Sequence, residues 1–442
     1  MWQILLLCSL AGDPASWWKT YGDPVLDDLI QRAGKQNHSL RLAAARVAEA
    51  RALSGEARSA LAPGLNFNTS AQQLRGGFQQ GIIRVPEPGV SGAGASFVAP
   101  FETGLLSSGL DTRWEVSFWG PNPKRLSAAR ADLLAQQESE GDVRVIVTAE
   151  VARTYFELRG LERQIGVARR NRDLEAGLLE LTRQRAQAGL SPELDVERQA
   201  AALASLEAAI PPLEAQRILR LNRLGVLLAD RDLAARTLPP APPNPALPRV
   251  NQGVDSELLL RRPDLRAAQA RILAATARLK AARSEMYPRL LLTGLMGRQA
   301  TNVSGFSLGG GNFFGAGPQL VLPVFTGGRI RANIAASDAR LEQARLAYEQ
   351  ELSAAFQEAE DALAGYRLEQ DRLSKLREAH SRAATALRLS RDLYQAGLGD
   401  FLGVLEAEKS VLELDLAIAQ AETSTAVQSV LLFKALAGGW PQ

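Results

Sequence analysis

Few side chains of this sequence have the types and spacing that catalysis or metal binding requires. There is one cysteine, Cys8, and the two histidines, His38 and His380, are isolated, so no metal-ligand cluster is indicated. No P-loop, HExxH or CxxC motif is present. Glu406 and Lys409 are spaced i,i+3, so on one helix face they could form an ion pair, within a chain or between chains. We therefore do not expect a dedicated metal enzyme, and the alternative for the Glu406/Lys409 pair is an ordinary solvated helix surface.

Composition indicates long helices and a solvated surface. The 442 residues predict two or three domains or one elongated body. With 51 basic and 48 acidic residues the net charge is only +3, and no concentrated basic stripe suggests a nucleic-acid partner. No run of about 18 apolar residues predicts a transmembrane helix.

The sequence contains two tandem repeats, which are the elements that must position any functional residue. Leu40–Leu65 aligns without gaps to Leu265–Leu290, and the shared ends Pro63/Pro288 and Arg58-Ser59/Arg283-Ser284 do not come from alanine bias. A second match aligns "AGLSPELDVE" near residue 190 with "AGLGDFLGVLEAE" near residue 400. A Pro-rich stretch, Asp232–Val250, cannot be helix or central strand and separates the halves.

Each half has the same order of elements. A helix of about 25 residues is followed by two strand-like segments around a Gly-rich loop, then by a long helix, a glycine break and a returning helix. Each long helix would extend about 100 Å, and the short break predicts an antiparallel helical hairpin. We predict a leader at 1–16, repeats at 17–230 and 253–442, a linker at 231–252, strands at about 64–74, 96–119, 289–302 and 313–325, and hairpin tips at about 188–197 and 396–405.

Four strands of about ten residues have the length of outer-membrane β-strands. Lipid offers no hydrogen-bond partners, so every backbone N–H and C=O group of a strand must pair with another strand. Only a closed barrel meets this condition, and four strands cannot close into one. Several chains must then share one barrel, and three chains would supply twelve strands. Aromatic residues at strand ends, such as Trp114, Phe118, Trp119, Phe313 and Phe314, are typical of membrane interfaces. The alternative at this point is a small soluble β domain.

The sequence resembles the TolC-type outer-membrane efflux proteins, in particular the NodT/OprM-like channels of tripartite RND efflux systems. The resemblance covers nearly the whole chain, and its specific segments are "LLLRRPDLRAAQARILAATARLKAARSEMYPRL", "LVLPVFTGGRIRANI" and "YQAGLGDFLGVLEAE". It implies a homotrimer in the bacterial outer membrane, with a 12-stranded barrel continuous with a long α-helical periplasmic tunnel. It also implies passive export of drugs and other small molecules, with a periplasmic adaptor and an inner-membrane RND transporter as partners. On this resemblance the protein is expected to have no cofactor and not to be an enzyme.

The resemblance also implies roles for the two breaks. They would be periplasmic hairpin tips that contact the adaptor, at Ala188, Gly189, Leu190, Ser191, Asp195, Ala396, Gly397, Leu398 and Gly399. The gate would lie in the second copy, with Leu402 as a hydrophobic ring residue and Glu406 and Lys409 as an acid/base pair. Relatives often carry a lipidated cysteine before the first helix, so Cys8 is a candidate for lipidation, and a truncated leader is the alternative. Pro211 and Pro212 predict a kink or break in the returning helix of the first half.

Three alternatives differ in function. The same fold could serve type I protein secretion or metal-ion export. A copper route would need many methionine or cysteine ligands, and the sequence has only three methionines and two histidines, which argues against it. A soluble coiled-coil scaffold with a small β domain is the third.

Overall fold

The computed structural model describes residues 14–79, 98–116, 120–189, 191–233, 238–239, 259–303, 306–396 and 398–437. Cys8, Leu190, Gly397, Phe118, Trp119 and most of the Pro-rich linker lie outside these residues. The helices are α1 (Pro24–Gln36), α2 (His38–Ser59), α3 (Asn122–Gln187), α4 (Glu193–Leu227), α5 (Pro263–Ser284), α6 (Arg329–Gln395) and α7 (Phe401–Ala435), preceded by a 3₁₀ helix at Pro14–Tyr21. The strands are β1 (Gly64–Gln79), β2 (Val98–Val116), β3 (Arg289–Val303) and β4 (Phe306–Val321).

The chain divides into two compact units. The helical unit comprises Met1–Ala48, Leu134–Ala270 and Leu346–Gln442, and the strand unit comprises Glu49–Leu133 and Arg271–Arg345. Both sequence repeats contribute to both units, because each repeat contains a strand pair between its helices.

The strand unit contains one antiparallel sheet in the order β1-β2-β3-β4. Neighbouring strands pair along nearly their whole length, for example Phe67 with Leu110 and Leu110 with Met296. β4 begins at Phe306, before the predicted start at about 313, because the Gly-rich segment there continues the ladder with β3 past a bulge at Ala300/Asn302. Within the described residues, β1 and β4 each pair on one side only, so both edges of the sheet remain open.

The helical unit is held by an aromatic and aliphatic core beside the N-terminal 3₁₀ helix. Trp17 stacks on Phe433 with ring centroids 5.0 Å apart, and Tyr21 meets Phe156 edge-on at 4.8 Å. Asp23 begins α1 by accepting hydrogen bonds from the backbone of Val25 and Leu26, and its other oxygen accepts one from Tyr155 Oη at 2.5 Å. One buried carboxylate therefore joins the start of α1 to α3.

Small residues let the long helices of this unit approach closely. A Cβ added at Gly160 in α3 would lie 2.1 Å from Thr423 Oγ1 of α7. A Cβ added at Gly365 in α6 would lie 2.9 Å from Gln428 Oε1 of the same helix α7. The alanine-rich composition thus serves tight helix packing as well as helix propensity.

Two sequence features find their place in this unit. Arg262, from the "RRPD" segment, donates to Asp264 at 2.7 Å, to Glu358 at 2.8 Å and to the carbonyl of Ala435 at 2.8 Å. It thereby ties the start of α5 to α6 and α7. Of the kink or break predicted at Pro211 and Pro212, the break is wrong, because α4 runs without interruption from Glu193 to Leu227, and the kink stays a prediction. The pair removes only two backbone donors, and buried residues on both sides, Ile210 and Leu221, keep the helix packed.

Candidate functional site

The first helical break is a tight turn with its own polar contacts. α3 ends at Gln187, and Gly189 adopts a φ of +71°, a conformation that favours glycine. Ser191 Oγ donates to Asp195 Oδ2 at 3.2 Å, and Arg198 lies 3.9 Å from the same carboxylate. Asp195 thus stabilises the first turn of α4, where a negative charge is favourable.

The second break is built differently although the sequences match. The amide of Leu398 donates to the carbonyl of Leu393 at 2.9 Å, and Asp400 caps α7 by accepting from the amide of Gly403 at 2.9 Å. The Leu398 side chain is 78% exposed. Both tips therefore present an exposed leucine, because Leu194 of the first tip is 57% exposed, whereas the Asp195 side chain there is only 16% exposed.

The two tips lie side by side in the helical unit. The guanidinium carbon of Arg185, in the last turns of α3, lies 4.9 Å from the ring centroid of Tyr394, in the last turn of α6. This distance is in the range of a cation–π contact. The pairing of tips that the repeat suggested is therefore present within one chain.

The three residues predicted for the gate all lie on the surface of α7. Leu402 is 43% exposed, Glu406 is exposed, and the Lys409 side chain is 78% exposed. Lys409 Nζ lies 3.9 Å from Glu413, one turn further on, and among the described residues no ion pair joins it to Glu406. The pairing of Glu406 with Lys409 across chains stays a prediction.

A buried charge cluster lies on the opposite side of the same helix, and sequence reasoning missed it. Glu408 is 5% exposed, and Arg391 Nη2 of α6 donates to its Oε1 at 3.0 Å. Its Oε2 has no hydrogen-bond partner among the described residues. Burial raises the pKa of Glu408, and Arg391 offsets only part of that effect.

Two further polar side chains are buried in this region of the helical unit. Glu175 of α3 is 3% exposed, and burial, followed by the charge of Glu408, raises its pKa. Gln199 of α4 is fully buried, and neither its amide oxygen nor its amide nitrogen has a hydrogen-bond partner in the described part of the chain. A buried polar group without a hydrogen-bond partner lowers the free energy of unfolding by about 1–3 kcal/mol. The packing of the four helices near the tips is therefore less favourable than an apolar core would be.

A weak signal for this cluster exists in the sequence. Arg391 aligns with Arg183 of the first repeat, but Glu408 aligns with Ala200, so the acid that meets the arginine occurs in the second copy alone. Composition could not show that Glu408 is buried while Glu406 and Lys409 are exposed.

Across the described residues, no three histidine, cysteine or acidic side chains are placed to hold a metal ion. No helix among them is both long enough and apolar enough to cross a membrane.

Comparisons with known proteins agree with one another. The sequence matches the family described as Outer membrane efflux protein over residues 29–230 and 254–438. It is 31% identical to the pyoverdine export outer membrane protein OpmQ of Pseudomonas aeruginosa, over 97% of this chain and 88% of OpmQ. It is 30% identical to the outer membrane protein OprJ of the same organism, over 97% of this chain and 87% of OprJ. The structure is similar to the outer-membrane channel OprN, with a TM-score of 0.81 and 30% identity over 96% of this chain and 92% of that one. It is also similar to the outer membrane protein VceC of Vibrio cholerae, with a TM-score of 0.79 and 27% identity over 96% of this chain and 99% of VceC.

Proposed function

The chain belongs to the outer membrane efflux protein family, and from this premise we propose how it works as the exit channel of an efflux pump. Membership confirms the resemblance found in the sequence, together with the fold class and the location. The protein is a membrane α+β protein of two tandem repeats, whose four strands per chain contribute to a trimeric 12-stranded barrel in the outer membrane. Its long helices form the periplasmic tunnel domain.

Our proposal is that the channel is passive and performs no chemistry of its own. An inner-membrane RND-type transporter would supply the energy, and a periplasmic adaptor would join it to the helical tips. Drugs and other small molecules would leave through the lumen of a homotrimer.

The observation that carries the proposal is the sheet with two open edges. A transmembrane sheet cannot leave the backbone groups of β1 and β4 without partners, so these edges must pair with other chains. Mass measurement of the detergent-extracted protein should give a trimer. A monomer would contradict the closure argument, and release by high salt without detergent would contradict the membrane location.

For the gate, we propose that Leu402, Glu406 and Lys409 narrow the pore at the second tip. Their exposure in the single chain leaves them free to meet the same residues of neighbouring chains. The paired tips, with Ser191 and Asp195 on one and Leu398 on the other, would contact the adaptor, and an exposed leucine on each tip, Leu194 and Leu398, would give it an apolar surface. An exposed ion pair contributes only about 0–1 kcal/mol, which suits a contact that must open.

The double variant Glu406→Ala/Lys409→Ala should raise single-channel conductance in planar bilayers, because it removes the charges that would hold neighbouring tips together. A matched control is Lys375→Ala/Glu378→Ala. That pair lies on α6 with the same i,i+3 spacing, a separation of 3.7 Å and similar exposure. The control should conduct like the unmodified protein. Equal conductance of both variants would refute the gate assignment.

A further inference from the structure

The sheet has one chiefly apolar and one chiefly polar face, and the register shows which residues share each face. Phe67, Leu110, Met296 and Phe314 are cross-strand neighbours on the chiefly apolar face, which also carries one polar row, Thr69, Ser108, Arg298 and Asn312. The residues between them along each strand fall on the other face, which carries Asn66, Asn68, Ser70, Ser107, Asp111 and Gln299. In an outer-membrane barrel the apolar face meets lipid and the polar face lines the lumen. This assignment rests on the function proposed above.

Phe313 lies on the polar face, unlike its neighbour Phe314. Phe314 is 80% exposed in the single chain and lies on the chiefly apolar face, which meets lipid in this assignment. Phe313 pairs with Gly297, which in turn pairs with Gly109. Phe314 therefore points to lipid, and the adjacent Phe313 points to the lumen.

The Phe313 ring lies along the wall because two glycines make room for it. Its Cζ atom is 2.8 Å from the position that a Cβ would take at Gly297, and 3.1 Å from the position at Gly109. A side chain at either position would displace the ring. The ring thus extends from β4 across β3 towards β2 over the two glycines, and Phe313 remains partly exposed. We name Phe313, Gly109 and Gly297 the aromatic pad.

The surroundings of the pad are chiefly polar. The next row on this face is Ser107 with Gln299, and Asn68 of β1 pairs with Gly109 in the same row as the pad. On the opposite side, Leu295 leans over Gly315, with Cγ 3.6 Å from the position of a Cβ there, and extends the apolar surface. Asn66 and Asn68 both donate to Asp111, so these amides are already engaged.

We propose that the aromatic pad is a contact site for planar aromatic solutes on their way out, present three times in the trimer. A partly exposed aromatic ring can pack against another ring, and the neighbouring serine, asparagine and glutamine side chains offer no such partner. Because the glycines hold the ring against the wall, the contact does not narrow the lumen. A single partly exposed ring gives weak binding, which a transport path requires since the solute must leave again.

The test is ionic current through the purified trimer in planar bilayers, with a blocking cation added on the outer side. The two probes are phenyltrimethylammonium and tetramethylammonium, which carry the same charge and differ by the ring. The unmodified channel should be blocked by the phenyl compound at a several-fold lower concentration. Phe313→Ala should abolish this difference, whereas Phe314→Ala should retain it, because that side chain lies outside the lumen.

Two further variants guard against a trivial loss of structure. Phe313→Leu keeps an apolar side chain without a ring and should lose the preference for the phenyl compound. Phe313→Tyr keeps the ring and should retain it. A preference that persists in Phe313→Ala, or that is absent from the unmodified channel, would overturn the pad. A purified trimer that conducts no ions at all would instead overturn the proposed channel function, so the two failures can be distinguished.

Discussion

Removing Arg391 should expose the energetic role of the buried cluster near the tips. In Arg391→Ala, Glu408 loses the donor that lies 3.0 Å from its Oε1, and its Oε2 already has no hydrogen-bond partner among the described residues. The carboxylate cannot turn to water, because its side chain is only 6% exposed. The variant therefore leaves a buried negative charge with no compensating cation at this distance.

The magnitude follows from the geometry of the pair. Two unit charges about 4 Å apart attract by about 4 kcal/mol at an effective dielectric constant of 20. The Arg391 side chain is 48% exposed, so water screens a large part of this attraction. We expect the free energy of unfolding to fall by about 1–2 kcal/mol at neutral pH.

The loss should depend on pH with a definite sign. The folded-state pKa of Glu408 lies above its ordinary value of 4.5, chiefly because of burial. Between that value and the raised pKa, the folded state binds more protons than the unfolded state, so stability falls as pH rises through this window. Arg391→Ala raises the folded pKa further and extends the window upwards. Below pH 4.5 Glu408 becomes neutral in both states, and the penalty of the variant largely disappears.

Thermal unfolding of the trimer in detergent, followed by circular dichroism at pH of about 4 and about 7.5, measures this difference. Arg388→Ala is the control, because Arg388 is exposed on the same helix and makes no ion pair among the described residues. Glu408→Gln should make stability less dependent on pH. An equal loss for Arg391→Ala at both pH values would refute the reasoning, since a neutral Glu408 has no need of the arginine.

Two further predictions concern packing and capping. Gly160→Ala should destabilise the protein by about 1–3 kcal/mol, because the new Cβ would lie 2.1 Å from Thr423. Gly177→Ala on the same helix meets nothing within 4 Å and should stabilise by about 0.5–1 kcal/mol, and a comparison of melting temperatures that gave the two variants the same sign would contradict the close approach. Asp23→Ala should cost about 2–4 kcal/mol, because it removes both the cap of α1 and the acceptor of the buried Tyr155 hydroxyl. Asp23→Asn keeps an acceptor for the cap, so chemical unfolding should show a smaller loss, and an equal loss would argue against the capping role.

Much of the fold could be predicted from local patterns. The repeat of Pro63 at Pro288 and of the "AGL" segments located four strands, two long hairpins and their tips. The number of strands, with the rule that lipid leaves no backbone group unpaired, indicated that several chains share the barrel. Local patterns also misled: Pro211 and Pro212 predicted a break, although packing on both sides of the pair keeps α4 continuous.

The sequence by itself determined which elements form, because helix and strand periodicities depend on residues close together in the chain. Only the tertiary structure decided which side of each element meets which neighbour. Glu406, Glu408 and Lys409 lie within one turn of α7, yet Glu408 is buried against Arg391 and the other two are exposed. Phe313 and Phe314 are adjacent and identical, yet one covers two glycines and the other lies on the apolar face. These differences arise from contacts between residues more than fifteen positions apart in the chain, which no local pattern contains.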